Sequence, residues 1–201
     1  MARYRGSVTK LSRNEGVGLD GFPKCAVLKR PYGSGQHGQA RKKLSEYALQ
    51  LREKQKVKRT YGLLEKQFRR NYAISIRKKG VTGTIMLQRL EARLDSILYR
   101  STLANSRPQS RQLIAHGHIL INGKKTDIPS YILKTGDVIT VRERSKAFFK
   151  SLQPLRRAVA DIPVWLNVDT EALTVTVNAL PEREEIDRTF KEALIIEFYS
   201  R

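Results

Sequence analysis

Five cations, Arg52, Lys54, Lys56, Lys58 and Arg59, crowd one short stretch of the chain. If that stretch is helical, spacings of four and three put Arg52, Lys56 and Arg59 on one face and Lys54 and Lys58 on the adjoining one. Like charges so placed repel by roughly a few tenths of a kcal/mol per pair. The arrangement therefore makes sense beside a counter-charge, and phosphate is the expected one. A merely solvated helix face would leave the repulsion unanswered. Arg107 and Arg111, four apart on a later short helix, and Lys124 and Lys125 beside a turn, are expected to converge on one RNA backbone. Further expected RNA contacts are Arg3, Arg5, Arg30, Tyr32, Gln36, His37, Arg41, Lys42 and Lys43 near the N-terminus, and Arg69, Arg70, Lys78 and Lys79.

The composition supports a polyanionic partner. Lys and Arg total 39 against 19 Asp and Glu, a formal net charge of +20 with a pI near 10.4. A chain with that excess repels itself when alone. The excess is uneven: residues 1–60 hold 15 basic and 4 acidic residues, whereas 181–201 hold 4 and 6. The N-terminal part should therefore carry most phosphate contacts, and the acidic end, with Glu182, Glu184, Glu185 and Asp187, should meet protein. Because A-form RNA hides its major groove, recognition should be mostly of shape. Aromatic residues do not interleave with the cations, which argues against a sequence-specific single-strand reader.

Other chemistries find little support. Gly16 to Gly21 has the spacing G-x-G-x-x-G, but Lys10 to Glu15 before it is no buried strand. Gly33 to Gly38 has phosphate-loop glycine spacing, yet Gln39 stands where the lysine belongs. His37, His116 and His118 join no cysteine cluster, and no H-E-x-x-H or G-x-S-x-G occurs. Trp165, between Val164 and Leu166, reads as a core anchor. Cys25 is the only cysteine, so no internal disulfide forms. Neither a secretory signal nor an apolar run long enough to cross a bilayer is found, which points to the cytoplasm or an organelle matrix.

The elements that must position these residues follow from periodicity. Residues 1–44, rich in Gly, Pro and cations, read as an extended basic arm with one short helix. Ser45 caps a helix from Glu46 to Tyr61 that ends at Gly62, and Leu63 to Lys79 forms a second. A third runs from Thr84 to Arg100, burying Leu87, Leu90, Leu94, Ile97 and Leu98 while Arg89, Glu91, Arg93 and Asp95 take the wet side. Ser106 caps a helix to His116 with Pro108 in its first turn. The period then changes to two: Ile119 to Ile121, the turn Asn122-Gly123, a return through Lys124 to Asp127, and strands at Val138–Val141, Val164–Val168 and Leu173–Val177, with a helix around Phe148 to Val159. The expected class is α+β: a mostly helical domain packed against an RNA-binding domain with short helices and an antiparallel sheet. The expected divisions are the arm 1–44, a helical RNA-binding domain 45–90 completed by 186–201, and an RNA-binding domain 91–185 containing a small module at about 93–144.

Arg30-Pro-Tyr-Gly-Ser-Gly-Gln-His-Gly-Gln39 and Leu51-Arg-Glu-Lys-Gln-Lys56 strongly resemble the family of bacterial small-subunit ribosomal protein four. Tyr61-Gly62, Lys79 to Gly83, Leu90 to Asp95, His116 to Ile119, Asp127 to Tyr131 and Glu197 to Arg201 extend the resemblance nearly end to end. It implies a primary 16S ribosomal RNA binder that nucleates assembly of the 30S body, contacts small-subunit protein five, is linked functionally to protein twelve and influences decoding accuracy. It implies no enzymatic activity, no cofactor and no membrane. The rival readings are an RNA-modifying enzyme sharing the module, for which too little chain remains, and a repressor that binds messenger RNA through the same surface. Many relatives carry four zinc-binding cysteines where this chain has Thr9, Ser12, Asp20 and Cys25. No zinc is expected here, and RNA contacts are expected to hold the arm instead.

Overall fold

A computed structural model describes residues 4, 6–19, 26–40, 43–152 and 162–200. The fold is α+β, and the chain divides into two compact units, Met1–Met86 with Asp187–Arg201, and Leu87–Ile186.

The first unit is helical. Helix α1 spans Val8–Glu15 and ends on Gly16, whose φ of 70° satisfies the left-handed cap that glycine tolerates best. Helix α2 is the short Ala26–Lys29. Helix α3 covers Glu46–Thr60, where the Ser45 hydroxyl accepts a hydrogen bond from the Ala48 N–H at 3.3 Å. Helix α4 covers Glu65–Ile76, shorter at both ends than the expected Leu63 to Lys79, and buries Phe68, Tyr72 and Ser75 at helical spacing. Part of the core of this unit, Phe190 and Ile195, comes from the far end of the chain. Helix α9, Glu192–Ser200, packs on α3, with the Tyr47 and Phe198 rings 5.6 Å apart, and brings Tyr199 against Tyr72 at 4.6 Å.

The residues before α3 are not simply extended. Arg13 donates to the Tyr32 and Gly33 carbonyls at 3.1 and 2.9 Å, and Ser34 donates to the Asn14 side chain at 3.0 Å. Leu19 donates its N–H to Ser12 Oγ at 3.3 Å. These ties hold the described part of the arm together from within the chain.

The second unit opens with the end of helix α5, Thr82–Glu91, followed by α6, Leu94–Arg100. Periodicity read these as one helix. The break at Ala92–Arg93 comes from tertiary backbone pairing: Leu133 N–H donates to Ala92 O at 2.9 Å, Leu94 N–H to Tyr131 O at 2.9 Å, and Arg93 bridges Ile132. Helix α7, Arg107–Ala115, starts at its Ser106 cap and ends before Gly117. Strands β1, Ile119–Ile121, and β2, Lys124–Lys125, turn through Asn122 and Gly123 with φ of 48° and 78°, the two left-handed positions of a tight hairpin. Strands β3, Val138–Val141, β4, Leu166–Asp169, and β5, Thr174–Val177, complete an antiparallel sheet of order β2-β1-β3-β5-β4. Alternate residues Ile119, Ile121, Ile139, Val141, Val175 and Val177 face a core shared with Leu94, Ile97, Leu98, Leu113 and Trp165. Helix α8, Lys146–Ser151, follows β3, and the rest of the helix expected as far as Val159 lies outside the described residues.

Candidate nucleic-acid interface

Helix α3 presents only one of its five cations, Arg52, freely to solvent; Lys54 is buried and Lys56, Lys58 and Arg59 are partly covered. Lys54 is only 5% exposed: its ammonium meets Glu65 Oε1 at 3.0 Å and sits 4.5 Å above the Phe198 ring. Lys58 reaches the other Glu65 oxygen at 2.9 Å. Lys56 lies 2.8 Å from Glu53 Oε2, and Glu53, itself buried, also accepts the Lys191 backbone N–H at 2.9 Å. Arg59 hydrogen-bonds Glu15, whose carboxylate lies 3.6 Å from Arg52. Phosphate is thus not the only counter-charge open to this crowding. Internal carboxylates from α1, α3 and α4 supply another, and Lys54 is corrected from an RNA contact to a core residue.

The carboxylates record these surroundings. Burial alone raises the Glu65 carboxyl, but hydrogen bonds from Lys58, Tyr199 and Lys54 overcome it and hold it at about 2. Glu15 goes the other way: its burial outweighs the nearby Arg59, Arg52 and Lys56 charges and raises it. Tyr199, half-buried and donating to Glu65 at 2.7 Å, is pushed well above the ordinary phenol range by burial first and by Glu65 second.

Helix α4 is different. Lys66, Arg69 and Arg70 are exposed on the face away from Phe68 and Tyr72, and Arg77, Lys78 and Lys79 continue the exposed run just beyond its end. Among the described residues, none of these six has a carboxylate within ion-pair distance. Lys66 and Arg77 were missed in the sequence reading, although the density of cations between 66 and 79 was there to be counted.

In the second unit the expected pair Arg107 and Arg111 turns inward. Arg111 Nε lies 2.7 Å from Asp95 Oδ2, and Arg93 makes a two-pronged contact with the same carboxylate at 2.9 Å on each side. Arg107, 8% exposed, stands 4.5 Å over the Tyr99 ring and 3.8 Å from Glu91, which also binds Arg100 at 2.7 and 3.1 Å. Glu91 and Asp95 are each 1% exposed, and Arg93 is buried with them. This overturns both the wet side expected for Glu91, Arg93 and Asp95 and the RNA role expected for Arg107. A buried carboxylate needs paired charge and hydrogen bonds, and the nearest arginines are recruited for it. Lys124 and Lys125 remain exposed, with Lys125 lying across Gly117 at the end of α7.

Near the N-terminus, Arg30, Gln36, His37 and Lys43 are exposed, whereas the Tyr32 ring is half-buried beneath the Arg13 guanidinium at 4.8 Å. Arg3, Arg5, Arg41 and Lys42 lie outside the described residues. The glycine motifs fit no nucleotide: Gly16 caps the end of a helix instead of following a strand, and Gly38 abuts the Gly33 carbonyl, closing the second loop on itself.

Residues 3–91 match the family described as Ribosomal protein S4/S9 N-terminal domain, and residues 92–139 match the S4 domain. The two matches meet where α5 gives way to α6. Over its whole length the chain is 50% identical to the small ribosomal subunit protein uS4A of Symbiobacterium thermophilum, aligned over 207 residues. It is 51% identical to uS4 of Acetivibrio thermocellus over 208 residues and 50% identical to uS4 of Gloeobacter violaceus over 208, again covering all of each chain. The chain belongs to the uS4 family of small ribosomal subunit proteins.

For a uS4 protein the zinc question turns on four positions. Thr9 is an exposed hydroxyl on α1, and Ser12 is buried with its oxygen engaged by Leu19. Neither fits a structural zinc ligand. Asp20 and Cys25 lie outside the described residues, and no metal-binding cluster occurs among the described ones. The acidic end also has local work. Glu182 and Glu185 form a reciprocal capping box on the turn Arg183–Glu185, with Glu182 N–H donating to Glu185 at 2.8 Å, and Asp187 accepts the Thr189 N–H at 2.9 Å. All four acidic side chains, Glu184 included, are exposed.

Proposed function

We propose that this chain is a structural component of the small ribosomal subunit that binds 16S ribosomal RNA at a multi-helix junction, nucleates assembly of the 30S body and contributes to decoding accuracy. The observation that carries this reading is identity of 50% or 51% across whole chains named as small ribosomal subunit proteins. The net charge of +20 and the exposed run from Lys66 to Lys79 agree with it. Phosphate contacts fall on α4, the residues just after it, Arg30, Lys43 and the β1–β2 hairpin, and not on the inward face of α3. No catalytic step and no cofactor are needed. Among the described residues no helix is long and apolar enough to cross a membrane, and the protein works in the cytoplasm as part of the ribosome.

Transcribed 16S ribosomal RNA tests the reading. Saturable binding is expected, with log affinity falling by roughly 0.7 to 0.9 per neutralised phosphate against log salt. Weak binding without preference over an unrelated RNA of equal length would overturn it.

The acidic segment serves a protein neighbour, small-subunit protein five, and through that interface is linked functionally to protein twelve. Exposed charge pairs there contribute only about 0 to 1 kcal/mol each, so the contact is easily remade. Glu184 is the clean probe because Glu182, Glu185 and Asp187 also cap local backbone. Glu184→Lys is expected to leave 16S RNA affinity intact or slightly tighter while loosening protein five. A collapse of RNA affinity instead would put this segment on the RNA face.

A further inference from the structure

Where α7 ends and α8 begins, the fold assembles an aromatic and basic patch that sequence spacing hid. His116 and His118, on either side of Gly117, have ring centroids 6.1 Å apart. His118 lies 6.0 Å from Phe148 and 6.4 Å from Phe149, and its Nδ1 is 2.9 Å from Ser145 Oγ. Phe149 is the buried anchor of α8, whereas Phe148, set nearly perpendicular to it, is 48% exposed. His116 is exposed too. Cations border the rings: Arg142 Nη1 donates to the Gly117 carbonyl at 3.3 Å, Lys125 lies across Gly117, and Arg144 is exposed close by. Burial first, and then the neighbouring His116, Arg144 and Arg142, lower the His118 pKa.

An exposed ring with a second ring beside it and cations at its margin is how proteins hold a base that has left its stack. We infer that Phe148, flanked by His116 and His118, is a stacking platform for an unpaired nucleobase, with Arg142, Arg144 and Lys125 holding the flanking phosphates. This rests on the RNA-binding reading and adds a single-stranded contact to a surface otherwise expected to read shape.

The test uses the full chain with three substitutions, Phe148→Ala, Phe148→Leu and Phe148→Tyr, and two probes, a single-stranded oligoadenylate and a blunt duplex RNA of equal length. The platform predicts that the unmodified chain prefers the single strand. Phe148→Ala and Phe148→Leu should weaken that binding by roughly 5- to 150-fold, the range alanine substitution gives at base–aromatic contacts. Duplex binding and its salt slope should stay unchanged, and Phe148→Tyr should bind as the unmodified chain does. Phe148→Leu keeps an apolar side chain, and a melting curve for each variant separates lost stacking from lost folding. Equal single-strand affinity in all four proteins overturns the platform and leaves the 16S assignment standing. Failure of the unmodified chain to select 16S RNA, with oligoadenylate binding still dependent on Phe148, overturns that assignment alone.

Discussion

Helices α3 and α4 are both basic and adjacent in the chain, yet they spend their charge in opposite ways. On α3, Glu15, Glu53 and Glu65 hold Lys54, Lys56, Lys58 and Arg59 against the protein, leaving Arg52 exposed, and tie α1, α4 and the segment before α9 to one helix. On α4 the apolar stripe Phe68–Tyr72 takes the inner face, and Lys66, Arg69 and Arg70 keep theirs in water. A cation count cannot separate the two cases. What separates them is whether a carboxylate is delivered to the same face by another element, and only the exposed set can release counterions when RNA binds.

The largest effect should come from breaking the internal side of this comparison. Glu53→Ala removes a buried carboxylate that holds both Lys56 and the Lys191 N–H, leaving the Lys191 N–H without its acceptor and Lys56 with only the Thr189 carbonyl at 3.5 Å. It should cost about 3 kcal/mol of folding stability, read by chemical denaturation. A loss below about 1 kcal/mol would mean that water replaces the carboxylate and that α3 is less tightly wired than its geometry implies.

Next comes the exposed side. Lys66→Ala, Arg69→Ala and Arg70→Ala combined should lower the slope of log affinity against log salt by about 2 for transcribed 16S RNA, with little change in melting temperature. The matched control is Lys54→Met, which should leave the slope unchanged because Lys54 is already paired inside the protein. Equal slopes for the triple variant and the unmodified protein, or a flattened slope for Lys54→Met, would reverse the assignment of the two helices.

The smallest effect is a pH dependence centred on Glu65, where α3 and α4 meet. Its carboxyl is held at about 2, below the ordinary value of 4.5. The folded value is the lower one, so the stabilisation is complete above the unfolded range and fades as pH falls from near 4.5 toward 2. Because the side chain is nearly half exposed, solvent screening discounts the contribution to about 1 kcal/mol. Stability measured across that interval should fall more steeply for the unmodified chain than for Glu65→Gln. Parallel curves would show that another carboxylate controls acid unfolding.

Much of the scaffold was legible beforehand because its signals are local. Ser45 and Ser106 cap the helices expected of them, Asn122-Gly123 turns the hairpin, and Trp165 is buried. The site was legible only in part. The spacing of the cations credited Arg107 to RNA when Glu91 and Tyr99 hold it. It also missed Lys66 and Arg77.

The sequence by itself determined the sign and amount of charge, the helix caps, the turn and the family, because each depends on residue identity or on neighbours within a few positions. Tertiary structure decided which cations face water. It broke the Thr84–Arg100 periodicity at Ala92, where backbone from 129–133 pairs with it, and sent Glu91 and Asp95 inward. It also brought His116, His118 and Phe148 together across some thirty residues of chain. The physical reason is the same in each case: a charged or aromatic side chain answers to the partner nearest in space, and periodicity along one helix carries no information about what another element brings to that face.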